Sequence, residues 1–357
     1  MRGVWLEQMG EPWAVQEVAD REVRPGGVLV DVVAVRVPSY TRQVLTGELN
    51  YDLPVPLVPG PTCIGRVRAV ADDVFGVTVG EVALCNSLYS SGEMSGSPDE
   101  ILIGWTGSGS ARSARMQHQW RHGSFAQRAC YPASCVTVLP GADQWTRPEL
   151  LPFLASLAIA DGGLRRGGLR GGQSVIVNGA TGNLGGAAVF AALARGATQV
   201  IATGRRRESL AALVELDPRV KPVVLTGDRA RDGEAIRAQT DAGADLLLDV
   251  VGNTPTTDPT LACLDALRLR GTAVLVGGVR HELALPYQRI QRQQLTVTGS
   301  FMFDSATALE VWQLVRAGTI DLTRVRAHSY DLEHFDDALE TAASLSGLDY
   351  TVLLPGS

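Results

Sequence analysis

The sequence predicts an α/β protein: a doubly wound parallel sheet beside a β-rich, barrel-like module built from the N-terminal part and the C-terminal tail. Three observations predict it. From about residue 146, apolar strands alternate with amphipathic helices. A glycine-rich turn, "GATGNLGG" at 179–186, lies between the run "SVIVN" and the helical "AAVFAALARGA". The first 140 residues carry β-branched runs broken by Gly and Pro. Strands buried on both faces read as unbroken apolar runs, which is the texture of the second half.

At 357 residues the chain exceeds one ordinary core, so about two domains are expected. With 45% hydrophobic and 20% charged residues, the composition is that of a globular chain and excludes a disordered one. A net charge of −6 gives no basic footprint for nucleic acid. No stretch approaches the ~18 apolar residues that span a bilayer, and "MRGVWLEQMGEPW" lacks the apolar segment of a signal peptide. Cys63, Cys85, Cys130, Cys135 and Cys263 are scattered and never spaced C-x-x-C, which argues against a disulfide framework or a four-cysteine zinc site. A cytoplasmic enzyme acting on a small molecule is the expectation, with no nucleic-acid or membrane partner.

In the first half, "GGVLVDVVAVRV" and "CIGRVRAVADDV" read as strands, with the Pro-rich "LPVPLVPGP" between them. The polar stretch from Asn86 to Gly123 is too long for a plain connection and reads as a functional flap or a disordered insert. "RPELLPFLASLAIADGGL" opens the second half as a helix. Then "SVIVN", "QVIATG", "PVVLTG", "ADLLLDVVG", "TAVLVGG" and "LTVTGS" read as strands separated by helices, "PTLACLDALRLRG" among them. "ATALEVWQLVRAG" and "LEHFDDALETAASL" read as two further helices before a last strand, "YTVLLP".

The loop pattern is Ala180-x-Gly182-x-x-Gly185 with Thr181 inside it, in the strand–turn–helix context that such a fingerprint requires. Gly182 lets backbone approach a pyrophosphate, Gly185 lets helix and strand pack closely, and the N–H groups of Asn183, Leu184 and Gly185 meet its charge. About 20 residues on, an NAD site places an acid against the ribose. Here the second strand ends "ATGRRRESL": Gly204 is followed by Arg205, Arg206 and Arg207, with no acid before Glu208. Cations at a helix N-terminus oppose its dipole, so these arginines predict a bound anion, the 2′-phosphate of NADPH, contacted by Arg205 and Arg206.

With "PLVPGPTCIGRV", "VGEVAL", "GSFAQRACYPAS", "LDVVGN" and "LTVTGSF" around that loop, almost the whole chain outside 86–121 resembles the medium-chain dehydrogenase/reductase superfamily. It is most similar to the zinc-independent quinone-oxidoreductase-like and enoyl-reductase-like branches. The resemblance implies a GroES-like catalytic domain over 1–139, a Rossmann dinucleotide-binding domain over 140–302, and a return to the catalytic domain over 303–357. Zinc-dependent members of this superfamily carry a Cys where this chain has Pro38, and Gly-His-Glu where it has Gly60-Pro61-Thr62. Neither Pro nor Thr replaces those ligands, so no catalytic metal is expected. His118 and His122, at i and i+4, would share a helix face if the segment is helical; without a third ligand they read as a solvated pair.

The resemblance further places Tyr51, just before the Pro-rich run, and Tyr40, beside the lost cysteine position, near the reacting atoms. A phenol donates at neutral pH and suits protonation of an enolate; Ser39 and Thr62 are weaker donors nearby. Packing at a strand end is the alternative for each tyrosine. The nicotinamide is implied to meet Val251, Gly277, Gly278 and Val279, then Phe301 and Met302. Where many members carry Thr, this chain has Ile159, and the polar Ser156 and Asp161 nearby are expected to face solvent. "TAVLVGGVRHEL" reads as a strand that pairs with its twin in a homodimer. Three functions stay open: NADPH-dependent reduction of an activated C=C (enone, quinone or enoyl ester), carbonyl reduction, and a catalytically silent nucleotide-binding sensor.

Overall fold

The computed structural model describes residues 1–92, 97–252 and 254–356. The run Ser174–Asn178 is buried because it lies third in a six-stranded sheet with strands on both sides. The order is Val220–Val224, Gln199–Gly204, Ser174–Asn178, Ala244–Asp249, Leu267–Leu275, Thr296–Gly299, every pair parallel. Numbered from Ser174–Asn178, that is 3-2-1-4-5-6. In such sheets ligands bind beyond the strand C-termini where the order reverses, here between Asn178 and Asp249. The Rossmann-like sheet expected from the sequence is therefore present.

A second sheet runs Arg326–Tyr330, Asp349–Leu353, Gly27–Val37, Cys63–Val70, Val82–Cys85, Val136–Val138, with Arg128–Pro132 also paired to Gly27–Val37. Asp349–Leu353 runs antiparallel to Gly27–Val37, so the C-terminal tail completes the N-terminal module. The sheet's two faces bury separate clusters. One holds Val30, Leu57, Trp105, Phe125 and Phe335; the other packs Ile64 and Leu84 against Phe153, Trp312 and Tyr350.

Asp161 does not face solvent, as its sequence context suggested; it is fully buried on the helix Phe153–Arg166. Arg195, just past the glycine-loop helix Asn183–Ala194, grips both its oxygens at 2.6 Å and reaches Glu310 at 2.9 Å. The pair fastens the helix under the sheet to the loop helix and to the tail helix Ser305–Arg316. Removing one partner of such a pair strands the other charge. Arg195→Met should thus lower stability by about 3 kcal/mol, read as a lower denaturant midpoint with an unchanged slope; an unmoved midpoint would refute the role.

Three other expectations are corrected. The helix over "PTLACLDALRLRG" stops at Asp265, and Leu267 already begins a strand, because apolar Leu267 completes the sheet beside Ala244. Leu267–Leu275 is paired on both sides and "VGGVRHEL" is not a strand, so this segment offers no open edge to a twin. The stretch 86–121 is largely ordered. Leu88–Ser90 and Glu100–Leu102 pair antiparallel, residues 93–96 lie outside the described residues, and Ala111–Gln119 is a helix. Ile101, Ile103, Trp105, Met116 and Trp120 bury it in the N-terminal core, the apolar content that its polar flanks mask. Among the described residues, no helix is long and apolar enough to cross a membrane.

Candidate active site

The glycine turn meets the first strand as the fingerprint requires. A Cβ on Gly185 would stand 2.1 Å from the Gly179 carbonyl oxygen, so only glycine lets this helix approach its strand. Gly182, the N-cap of Asn183–Ala194, has no such neighbour: a Cβ there would meet only the Gly179 oxygen, at 3.5 Å. The fold does not demand glycine at 182, so the space above it fits a ligand phosphate. At the end of the next strand, Gly204 packs against Thr181, bringing Arg205 and Arg206 beside the loop. Arg205, Arg206 and Arg207 are all exposed; Arg206 donates to Ser346 Oγ at 3.1 Å, and no carboxylate pairs with any of the three among the described residues. This donor set suits a phosphorylated ribose.

The far wall is set by Gly277. Its amide donates to the Asp249 carbonyl, and a Cβ would strike the Val251 carbonyl at 1.9 Å, so Gly277 and Val251 lie in van der Waals contact. Gly278 has open space around it. Arg280, after Val279, donates through Nη2 to the Leu49 carbonyl at 2.5 Å. That contact joins the nucleotide-binding sheet to the loop carrying Tyr51.

Tyr40, Tyr51 and Trp105 form a triangle, with ring centroids 6.3 to 6.5 Å apart. Burial pushes the Tyr51 phenol up to about 12, with Tyr40 adding to the rise and Arg280 opposing it. Tyr40 also rises through burial, offset by the Arg36 charge and by hydrogen bonding with Trp105 and Tyr51, although 39% of the residue surface stays exposed. Both phenols thus keep their protons at neutral pH and act as donors, not bases. Ser39 is exposed on the same turn. Thr62 is buried, accepting from the Ser87 amide and lying 3.2 Å from the Ser87 hydroxyl.

Phe301 is 63% exposed and lines a pocket of about 340 Å³ with Pro98–Leu102 and Thr106–Ser108. The 86–121 segment therefore forms a wall facing the residue expected beside the nicotinamide. Met302 is partly buried with a left-handed backbone, φ 55°, and packs on the interior rather than toward that pocket.

Two arginines escaped sequence reading. Arg36 interrupts the apolar strand "VVAVRV" and extends to the loop helix, donating to Ser156 Oγ and, at 3.0 Å, to Asn183 Oδ1. Ser156, expected at the surface, is buried beneath it. Asn183 in turn donates to the carbonyls of Gly347 and Asp349, so the two sheets meet at the loop. Among the described residues no carboxylate pairs with Arg36, and its Nε is buried without a partner, which suits a second anionic contact at the helix start. The signal was a charge inside a buried strand. Arg280 carried no such signal, because its role depends on contact between the two sheets.

His118 and His122 do not share a helix face. The helix ends at Gln119, and His122 lies beyond it, half-buried, with Nδ1 accepting from the Val58 amide at 3.1 Å. Among the described residues, no three His, Cys, Asp or Glu side chains are grouped to hold a metal. Pro38, Pro61 and Thr62 supply no ligand of the kind the resemblance places there.

The two sheets and the cleft between them define a two-domain dinucleotide-binding architecture, and sequence matches agree. Residues 24–141 match the alcohol dehydrogenase GroES-like domain family, and residues 184–317 match the zinc-binding dehydrogenase family. A curated NAD-dependent alcohol dehydrogenase from Saccharolobus solfataricus is 23% identical over 99% of this chain and 100% of its own. An L-arabinitol 4-dehydrogenase from Penicillium rubens is 24% identical over 54% of this chain; the match spans about half that relative's length. A Sinorhizobium meliloti structure bound to NADP shares the fold at TM-score 0.80 and 20% identity, covering 99% of both chains. Together these matches agree with the resemblance to the medium-chain dehydrogenase/reductase superfamily.

Proposed function

We propose that this chain is a zinc-independent, NADPH-dependent oxidoreductase that reduces an activated C=C of an enone, quinone or enoyl ester. The observation that carries this reading is the triangle of Tyr40, Tyr51 and Trp105, set against the Arg280 contact that joins the two sheets. The coenzyme, when bound, supplies a hydride. Gly182 and the start of its helix hold the pyrophosphate, Arg36 faces the same charge, and Arg205 and Arg206 bind the 2′-phosphate. Val251 and Gly277–Val279 back the nicotinamide. Tyr51 Oη would donate a hydrogen bond to the substrate oxygen, where negative charge gathers during reduction. Protonation of the resulting enolate then completes reduction, from that phenol or from water it orders. Phe301 and the 97–108 wall shape the substrate's side of the cleft.

Carbonyl reduction is the second reading, favoured by the full-length similarity to an alcohol dehydrogenase. One experiment separates them: NADPH oxidation with a panel of enones, quinones and aldehydes, followed by product analysis. A saturated ketone supports the proposal. An allylic alcohol as the sole product supports the second reading, and binding without turnover across the panel defeats both.

A further inference from the structure

A second cationic site lies in the 86–123 segment, built from residues that neither the dinucleotide loop nor the tyrosine triangle uses. A pocket of about 940 Å³ is lined by Arg24, Arg112, Arg115, Arg121, His118 and His122, with Tyr89 and Met116 among its remaining walls. None of its described lining residues is acidic. In a chain of net charge −6, such a gathering of one sign is not a product of composition. Local sequence builds it: Arg112, Arg115 and His118 recur every three residues on the helix Ala111–Gln119 and share one face.

Among the described residues, no carboxylate pairs with Arg24, Arg115 or Arg121. Arg112 lies 3.4 Å from Asp99. Arg24 donates to the Gln119 carbonyl, and Arg121 Nη2 lies 3.2 Å from His118 Nδ1. Behind them Arg21 buries Nε and Nη2 with no partner, and burial and the Arg24 charge pull it below the usual arginine range. His122 is driven down to about 3 by burial and by Arg21, Arg121 and Arg24. Mutual repulsion among these like charges costs stability, and an anion in the pocket would offset it.

We propose that this pocket binds a small molecule bearing at least two phosphate charges. Guanidinium forks match phosphate oxygens in pairs, the volume is of ligand size, and Tyr89 and Met116 offer apolar surface to the rest of the ligand. The lining shares no residue with the glycine loop or with the arginines after Gly204. It goes beyond the reductase reading and does not depend on it.

The test is calorimetric titration of the whole chain with sodium tripolyphosphate, comparing Arg24→Gln/Arg115→Gln with Arg205→Gln/Arg206→Gln. Arg24 and Arg115 are exposed, so their replacement leaves the packing intact. The expected result is a saturable component that the Arg205/Arg206 variant keeps and that weakens at least tenfold in the Arg24/Arg115 variant. Absence of that component from the unmodified chain, or its equal strength in both variants, overturns the proposal. Equal binding of a polyglutamate of matched charge also overturns it, since the surface would then select charge and not phosphate.

Discussion

Replacing Arg205 and Arg206 together by Gln is expected to weaken NADPH binding about 100-fold while leaving NADH within a few-fold of its original affinity. A hydrogen bond to a charged group is worth about 1.5–3 kcal/mol, so two would allow a larger loss. Exposure argues for the lower end, because solvent screens both guanidiniums. Arg206 must also exchange its 3.1 Å bond to Ser346 for the phosphate, so Arg205 should contribute more. Direct titration of both coenzymes into both proteins gives the four constants needed. The contest is a real one, since a full-length relative is named for its NAD dependence. Its site need not dictate this one: specificity here turns on a few residues after Gly204, and 23% identity leaves those free to differ. If the unmodified chain binds NADH more tightly, or the double variant loses both coenzymes alike, the arginines are only a solvated helix start.

How much of this was legible in the sequence follows from how local each cause is. The glycine loop could be read because its demands lie within a few residues: Gly185 must pass the Gly179 carbonyl, and strand, turn and helix are adjacent in the chain. The unbroken apolar strands announced the parallel sheet for the same reason. What escaped depends on contacts between distant segments. Ser156 and Asp161 read as surface residues until Arg36 and Arg195, 120 and 34 residues away, arrive to bury and pair them. The helix ending at Gln119 separated His118 from His122, a boundary that periodicity does not fix within a residue or two. Trp105 sits in a stretch of Gly, Ser and charge, yet it is the third side of the tyrosine triangle. The 86–121 segment misled because Ile101, Ile103, Trp105, Met116 and Trp120, spread thinly among polar residues, are buried in the N-terminal core.

Tyr51→Phe is expected to lower kcat by about 100-fold or more with little change in coenzyme affinity, because a general acid typically contributes 10²–10⁴. Phe keeps the ring against Trp105 and Tyr40 and deletes only the hydroxyl, so loss of folding is not the expected cause. Tyr40→Phe should act more weakly. Its hydroxyl acts chiefly by steadying Tyr51, and the phenol that remains is still held protonated by burial. The pH dependence distinguishes donation from packing. With Tyr51 pushed up to about 12, its proton stays on through the neutral range, so donation predicts a flat kcat from about pH 6 to 9. The fall comes only as the pH rises toward that value, and the Phe variant should lack this alkaline limb. Were the phenol instead a base, activity would climb with pH across the same range. A Tyr51→Phe protein with unchanged kcat and an unchanged alkaline limb would assign the ring to packing, and the proton would have to reach the substrate from elsewhere in the cleft.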